Sequence, residues 1–516
     1  MNQYMIGVDI GTTSTKAVLF TTKGEVLNVH HVEYPMHTPT PHVAEQNPNE
    51  IYEAVITSIN NVIDQSQVNR SQVELVSFSS AMHSLIAVDR HGKPLTNCIT
   101  WADNRAASYA EQLKSTEQGH GIYMRTGTPI HPMSPLCKLM WLKEEQPELL
   151  QSENKFISIK EYVFYQLFGE YVIDYSIASA TGMFNLEQLD WDEEALAVAG
   201  VSREQLSNIV PTTHYLKLPN DPHESPLNLL SGTPVVVGAS DGVLSNLGLA
   251  ALDPGVVAAT IGTSGAIRTV VDKPVVDPKG RMFCYALTDK KWVIGGPVNN
   301  GGMILRWVME EFAASEVEAA NRLGVSPYEL LMDIAEKVPA GSDGLIFHPY
   351  LSGERAPLWN ANARGSFFGL SLHHKKEHFI RAALEGVMYN LYSVLLALKE
   401  LIGTPGEIKA TGGFARSKLW RQIMADVFNT KVVIPESFES SCLGATILGL
   451  YGLGKVDSLD VVKEMVGHTN EHVPNKDNVD LYQELMPIYI RVARALEDEY
   501  TNITAFQKKH SKEKDY

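Results

Sequence analysis

Two short turns carry nearly the same chemistry: Asp9-Ile10-Gly11-Thr12-Thr13-Ser14 and Thr260-Ile261-Gly262-Thr263-Ser264-Gly265. Glycine lets backbone approach an oxygen-rich ligand closely, and neighbouring Thr and Ser add hydroxyl donors to the N–H groups of a tight turn, a concavity suited to phosphate. Either turn alone is equally an ordinary hairpin connection. Their repetition points to a duplicated architecture in which two copies grip one polyphosphate. Asp9 adds a carboxylate at the end of an apolar run, where an unpaired charge is costly to bury. A magnesium-phosphate cluster beside it would remove that cost.

Asp241 follows Val235-Val236-Val237-Gly238-Ala239-Ser240 and precedes Gly242, so a second carboxylate arrives at a strand end. Phosphoryl transfer needs a base for the acceptor hydroxyl, and Asp241 suits that role; its rival role is the N-cap of the helix that follows. Lys409-Ala410-Thr411-Gly412-Gly413-Phe414-Ala415-Arg416-Ser417 offers a strand end, a double glycine and a helix beginning near Leu419. Such a turn admits a flat or phosphorylated ligand, or is a plain connection. Ser79-Ser80-Ala81-Met82-His83 and Trp101-Ala102-Asp103-Asn104-Arg105 also stand at strand ends. They suit the rim of a polyol pocket, although Arg105 can equally pair with Asp103. There is no GxxxxGK[ST] and no GxGxxG, so a nucleotide is held by other means.

The elements that must position these groups follow from the apolar pattern. Met5 to Ile10 and Thr15 to Phe20 flank the first turn, and Val26 to Val32 reads as a third strand. A helix opens at Asn47-Pro48, an N-cap followed by Pro at N1, and runs to about Ile63. Val73 to Phe78 is the next buried strand. Three antiparallel strands, a helix and a strand open a ribonuclease-H-like fold. The opening recurs from Val256, with strands Val256 to Thr260 and Ala266 to Val271, a later strand Lys291 to Ile294, and a helix Met303 to Phe312. Ile380, Leu384, Val387, Leu391, Val394, Leu395 and Leu398 give a helix over about 378–401 a core-facing stripe. Leu216 to Gly232 reads as surface loop before a strand at Pro234 to Val237. The division falls near Leu252-Asp253-Pro254-Gly255, giving an α/β chain of two domains, 1–252 and 253–516.

The 516 residues are 44% hydrophobic, ample for two cores, with a formal net charge of -17. That balance argues against nucleic acid and anionic membranes as partners. Cys98, Cys137, Cys284 and Cys442 form no CxxC pair, which fits a reducing cytoplasm. No basic leader precedes the first strand, and no apolar run approaches the roughly 20 residues that span a bilayer. The basic stretch Lys508 to Lys514 reads as a solvated tail.

Together these pieces resemble the FGGY carbohydrate kinases, ATP-dependent sugar kinases of the actin, hexokinase and Hsp70 superfamily. One family signature stands at Met133-Ser134-Pro135-Leu136-Cys137-Lys138-Leu139-Met140-Trp141-Leu142-Lys143-Glu144-Glu145. A second runs from Gly365 through Phe367-Phe368-Gly369-Leu370 to His378-Phe379 and Ala382-Ala383-Leu384-Glu385. The resemblance implies two ribonuclease-H-like domains with a catalytic cleft between them. It places ATP phosphates on Gly11, Thr12, Thr13, Gly262 and Thr263, with Lys16 a weaker contact, and adenosine near Gly302, Gly412, Gly413 and Ser417. Asp9 would hold Mg2+ and Asp241 would be the catalytic base. Ser79 to Ser84, Ile99 to Arg105 and Gly127-Thr128-Pro129-Ile130-His131-Pro132 look like the branch acting on gluconate, with substrate near Met82, His83, Arg105 and His131. Arg105, His83, His131 and Lys160 are the options for anchoring a substrate carboxylate, and the fork of Arg105 suits it best.

The pentulose-phosphorylating branch is the near alternative, and an ATP-driven conformational switch or a sugar-sensing regulator the alternative of another class. A homodimer is the family expectation. Two departures stand out: Gly242 replaces the Gln that often follows the catalytic Asp, and Gly412-Gly413-Phe414 lacks a third small residue.

Overall fold

The computed structural model describes residues 3–221, 225–435, 439–467 and 470–510, leaving Ser511 to Lys514 of the basic tail outside the described residues. Two compact units emerge. The first comprises residues 1–254, 269–294 and 439–467, the second 255–268, 295–438 and 468–516.

In the first unit β1 (Tyr4–Ile10) pairs antiparallel with β2 (Ser14–Thr21), which pairs antiparallel with β3 (Val26–Glu33). The helix α1 (Pro48–Asp64) crosses over to β4 (Val73–Ser80), which lies parallel to β1 with Asp9 opposite Ser79. Asn47 caps α1 through its side chain, which accepts from the Asn49 N–H (3.0 Å). Ile51, Val55, Ile59 and Val62 recur at helical spacing and are buried on the sheet. Two later strands, β5 (Tyr215–Lys217) and β6 (Pro234–Ser240), complete the order β5-β6-β4-β1-β2-β3. The expected surface loop over 216–232 is loop from Leu218 onward among the described residues, with two corrections: its first two residues belong to an edge strand, and Leu218, Leu227 and Leu229 are buried in the core. Residues 222–224 lie outside the described residues. A helix, α2 (Asp241–Gly248), follows β6 at once.

The second sheet starts from β7 (Val256–Ile261), β8 (Gly265–Val271) and β9 (Trp292–Val298), which are adjacent; residues 269–271 of β8 and 292–294 of β9 are counted with the first unit. The expected helix over 303–312 is α-helical only through α3 (Met303–Trp307) and continues as a π-turn to Phe312. Next come α4 (Pro327–Glu336) and the 27-residue α5 (Lys376–Ile402), whose apolar stripe from Ile380 to Leu398 is buried throughout. The sheet is extended by β10 (Glu407–Thr411), parallel to β7, then by β11 (Lys431–Val433) after α6 (Lys418–Phe428), and by β12 (Glu471–His472).

The chain returns to the first unit in α7 (Ser440–Gly452), which packs against α2 and on β1. Glycine makes that approach feasible. A Cβ at Gly7 would stand 2.3 Å from the Cys442 carbonyl oxygen, and one at Gly248 would stand 1.8 Å from that of Ser440.

Candidate active site

In the first turn, between β1 and β2, every carbonyl is already occupied. Tyr34 Oη donates to Gly11 O (2.6 Å), Gln46 Nε2 to Thr12 O (2.7 Å) and the Tyr34 N–H to Thr13 O (3.1 Å). Trp101 Nε1 donates to Thr12 Oγ1 (2.9 Å), which leaves the Thr12 hydroxyl proton to act as a donor. The second turn, between β7 and β8, repeats the device. Gly302 N donates to Gly262 O (2.7 Å), while Gly301 N (3.2 Å) and Met303 N (3.1 Å) both donate to Thr263 O. With their lone pairs bound inside the protein, both turns meet an anion as donors rather than as acceptors.

Asp9 ends β1 and accepts from Ser79 Oγ (2.7 Å) and Ser441 Oγ (3.1 Å). Burial pushes its carboxyl above the usual range, against the pull of the two hydroxyls. Lys16 is paired with Glu439 (2.9 Å). Burial pulls its ammonium down, but Glu439 outweighs that and the net shift is upward. Asp241 is the first residue of α2, and its Oδ1 accepts from the N–H of Gly242 (2.6 Å). The N-cap is Ser240, so the capping alternative for Asp241 is corrected by one position.

The sugar-side segments come together around His83. Its ring Nδ1 donates to Ala180 O (2.7 Å), so its Nε2 faces the Tyr285 hydroxyl (3.5 Å) as an acceptor. Its backbone is left-handed at φ 70°. Lys138, 1% exposed, fixes that backbone by donating to His83 O (2.5 Å) and Ile99 O (3.3 Å). Burial lowers its ammonium to about 7, against the opposing charge of Asp103. Met82 packs at the edge of the same apolar wall. His131 Nδ1 accepts from Met133 N (3.2 Å), so the ring carries its proton on Nε2. Arg105 is bound to Asp103 (Nε to Oδ2, 3.0 Å) and to Glu45, and its guanidinium stacks 4.5 Å from the Trp141 ring centre. Its charge is thus matched by two carboxylates. Lys160 is 3% exposed and paired with Asp174, which removes it as a carboxylate anchor.

The second unit contains a cavity of about 800 Å³ lined by Gly262, Thr263, Gly302, Gly413 and Ser417, joined by Arg306, Tyr328 and Arg416. That size suits a nucleoside. Gly412 stands behind the wall: its φ is +106°, and a Cβ there would meet Ile261 O at 2.1 Å. Ser417 caps α6 by accepting from Trp420 N (3.1 Å) and keeps its hydroxyl proton as a donor. Glu354, buried, accepts from Asn299 N, Asn300 Nδ2 and Asn390 Nδ2, which braces the segment leading into Gly301 and Gly302.

Comparison with known proteins agrees with this arrangement. The family model of the N-terminal domain of FGGY carbohydrate kinases matches residues 4–248, and that of the C-terminal domain matches residues 257–453. The chain belongs to the FGGY family of carbohydrate kinases. A gluconokinase from Bacillus subtilis (strain 168) is 58% identical over 509 residues, covering 98% of this chain and 99% of the relative. Among solved structures, a gluconate kinase from Lactobacillus acidophilus superposes with a TM-score of 0.91 at 38% identity, covering 98% of this chain and 100% of the other. A ligand-bound xylulose kinase from the same organism gives the same TM-score and identity, covering 97% of this chain and 100% of the other.

For an FGGY kinase the placement of the expected residues divides cleanly. Gly262, Thr263, Gly302, Gly413 and Ser417 line one cavity, while Gly412 supports it from behind. In the first unit Gly11, Thr12 and Thr13 form one donor turn beside Asp9. Sequence reasoning passed over Tyr328, Arg306 and the buried Lys138. The Ser326-Pro327 start of α4, with Ser326 accepting from Glu329 N, was a local signal for the helix that brings Tyr328 in. Nothing in residue type marked Arg306, and Lys138 stood in the sequence only as one member of the signature over 133–145.

Proposed function

We propose that this protein transfers the γ-phosphoryl group of ATP to the terminal hydroxyl of D-gluconate, giving 6-phospho-D-gluconate and ADP. Identity carries the acceptor: 58% with a gluconokinase over nearly the whole of both chains. Fold likeness does not separate acceptors, since the gluconate and xylulose kinases of one organism match equally well at 0.91.

In this reading the donor turns at Gly11 to Thr13 and at Gly262 and Thr263 receive the phosphates, and the cavity of Gly302, Gly413 and Ser417 receives the adenosine. Asp241 accepts the hydroxyl proton as the sugar oxygen forms its bond to the γ-phosphorus. The bond to the β–γ bridging oxygen breaks, and its electron pair leaves with ADP. Asp9 fits magnesium: burial pushes this carboxylate up even though two hydroxyls donate to it and Lys16 pulls it down, and a divalent cation would offset that burial. No group of three or more metal-binding side chains exists among the described residues, which suits an ion held by one carboxylate, water and phosphate. The metal would neutralise phosphate charge. Replacing Asp9 with Asn is expected to raise the magnesium concentration needed for half-maximal rate; an unchanged titration removes the assignment.

The substrate carboxylate is assigned to the Nε2–H of His131, because Arg105 is held by Asp103 and Glu45 and serves to position the wall. The test is a panel of gluconate, xylulose, ribulose and glycerol run on the wild type, His131→Gln and Arg105→Gln. Gluconate should give the highest kcat/KM in the wild type, and xylulose in that place would transfer the assignment to the pentulose branch. A hydrogen bond to a charged group is worth about 1.5–3 kcal/mol, so His131→Gln should raise the gluconate KM roughly 10- to 100-fold. Equal losses on a neutral polyol would reject His131 as anchor. Absence of sugar phosphorylation with ATP still bound would favour the conformational-switch reading.

The four cysteines are free and buried, and no helix among the described residues is long and apolar enough to cross a membrane. A reducing cytoplasm is the setting we assign on the cysteine chemistry.

A further inference from the structure

Lys160 and Asp174 form an ion pair in the core of the first unit, 3% and 1% exposed, with Nζ 2.6 Å from Oδ2. Such a pair is a poor stabiliser. Desolvating two charges offsets most of their attraction, and apolar residues of the same size often serve stability better. Its surroundings suggest another use. The second carboxylate oxygen of Asp174 accepts from Ser176 N (3.0 Å) and Ile177 N (3.1 Å), fixing the start of the short helix Tyr175–Ser179. From that helix Ser176 Oγ accepts the N–H of Ser240 (3.1 Å) and bonds the Ser240 hydroxyl (2.9 Å). Ser240 is the N-cap of α2, yet its side chain makes no capping bond. The residue after it is Asp241.

We propose that Lys160, through Asp174, is a positioning residue for Asp241, clamping the backbone at the end of β6 and keeping a positive charge within electrostatic reach of the reacting carboxylate. The inference rests on Asp241 being the base. The charges acting on Lys160 are those of Asp174, Glu161 and Asp241. Glu161, on the same helix, is pushed up to about 7 by burial, so it is largely neutral below that pH and adds little negative field there. On balance burial pulls Lys160 down, opposed by its carboxylate partners, Asp174 foremost. A cation near a carboxylate favours the ionised form, which is the form that accepts a proton. The acid limb of the rate profile therefore reports on Lys160.

The experiment is the pH dependence of kcat for gluconate phosphorylation in the full chain. The variants are Lys160→Met combined with Asp174→Asn, Lys160→Gln alone, and Asp241→Asn. The double variant removes both charges while Asn keeps the cap on Ser176 and Ile177, so no buried charge is left alone. The expected result is an acid limb moved up by roughly one pH unit in Lys160→Gln and by less in the double variant, where loss of the Asp174 charge offsets that of Lys160, with an unchanged KM for ATP. Lys160→Gln removes the positive charge alone and gives the readout even if the double variant does not fold. Lys160→Arg, which restores the charge, is expected to return the limb toward its wild-type position. A limb at the wild-type pH in Lys160→Gln overturns the inference. The Asp241→Asn profile separates the two readings. If that variant keeps near-normal turnover, the base assignment falls first; if it is inactive while the Lys160 variants titrate like wild type, only the present inference falls.

Discussion

Asp241→Asn is expected to lower kcat by about 10²- to 10⁴-fold, or roughly 3 to 5.5 kcal/mol of transition-state free energy, while ATP binds as before. The substitution is nearly isosteric. The Asn oxygen can still accept the Gly242 N–H that Oδ1 of Asp241 accepts at 2.6 Å, so α2 should keep its start and the protein its stability. What is lost is basicity. The carboxylate sits in the first turn of α2, where the helix end favours a negative charge. An amide in that place cannot take the hydroxyl proton as the sugar oxygen attacks. Single-turnover kinetics together with an ATP titration checks both halves. Turnover within a few-fold of wild type would reduce Asp241 to a helix-end carboxylate and remove the proton-transfer step from the proposed mechanism.

Features fixed by neighbours in sequence were legible in the sequence itself. The Asn47-Pro48 cap, the hairpins around Gly11 and Gly262, and the stripe on α5 all depend on residues within a turn or two of each other. The π-turn after Trp307 lay within a correctly expected helical segment, because apolar spacing does not separate one helical hydrogen-bond pattern from another. Pairings across long stretches of chain stayed hidden. Glu45 reaches Arg105 only because a short two-stranded pairing sets Glu45 opposite Ile99. Lys160 meets Asp174 through the packing of a helix on a strand. Leu227 and Leu229 were read as surface loop because Pro, Asn and Ser dominate their neighbourhood; they are loop, yet two leucines suffice to turn that segment into the core. The same limit governs Gly412. Its motif was read as a ligand contact, whereas its left-handed backbone and its approach to Ile261 give it a structural task that residue type does not announce.

That task yields the second large effect, in a comparison of two adjacent glycines. Gly412→Ala places a methyl group on a backbone at φ +106° and 2.1 Å from Ile261 O, a fixed main-chain atom in β7. The strained conformation alone costs about 1–3 kcal/mol, and the overlap must be relieved by moving β10 or β7. Ile261 leads directly into Gly262 and Thr263, so that movement displaces one wall of the nucleotide cavity. The ATP KM should rise at least about tenfold, which corresponds to about 1.4 kcal/mol, and Tm should fall. Gly413→Ala is the control, since a Cβ there meets nothing within 4 Å and the residue faces the cavity. It should leave Tm near the wild-type value and weaken ATP only by crowding the bound nucleoside. Thermal melts with and without ATP read both effects at once. If Gly413→Ala leaves ATP binding untouched, the nucleoside does not occupy this cavity; if Gly412→Ala behaves like wild type, the close approach to Ile261 does not shape the site.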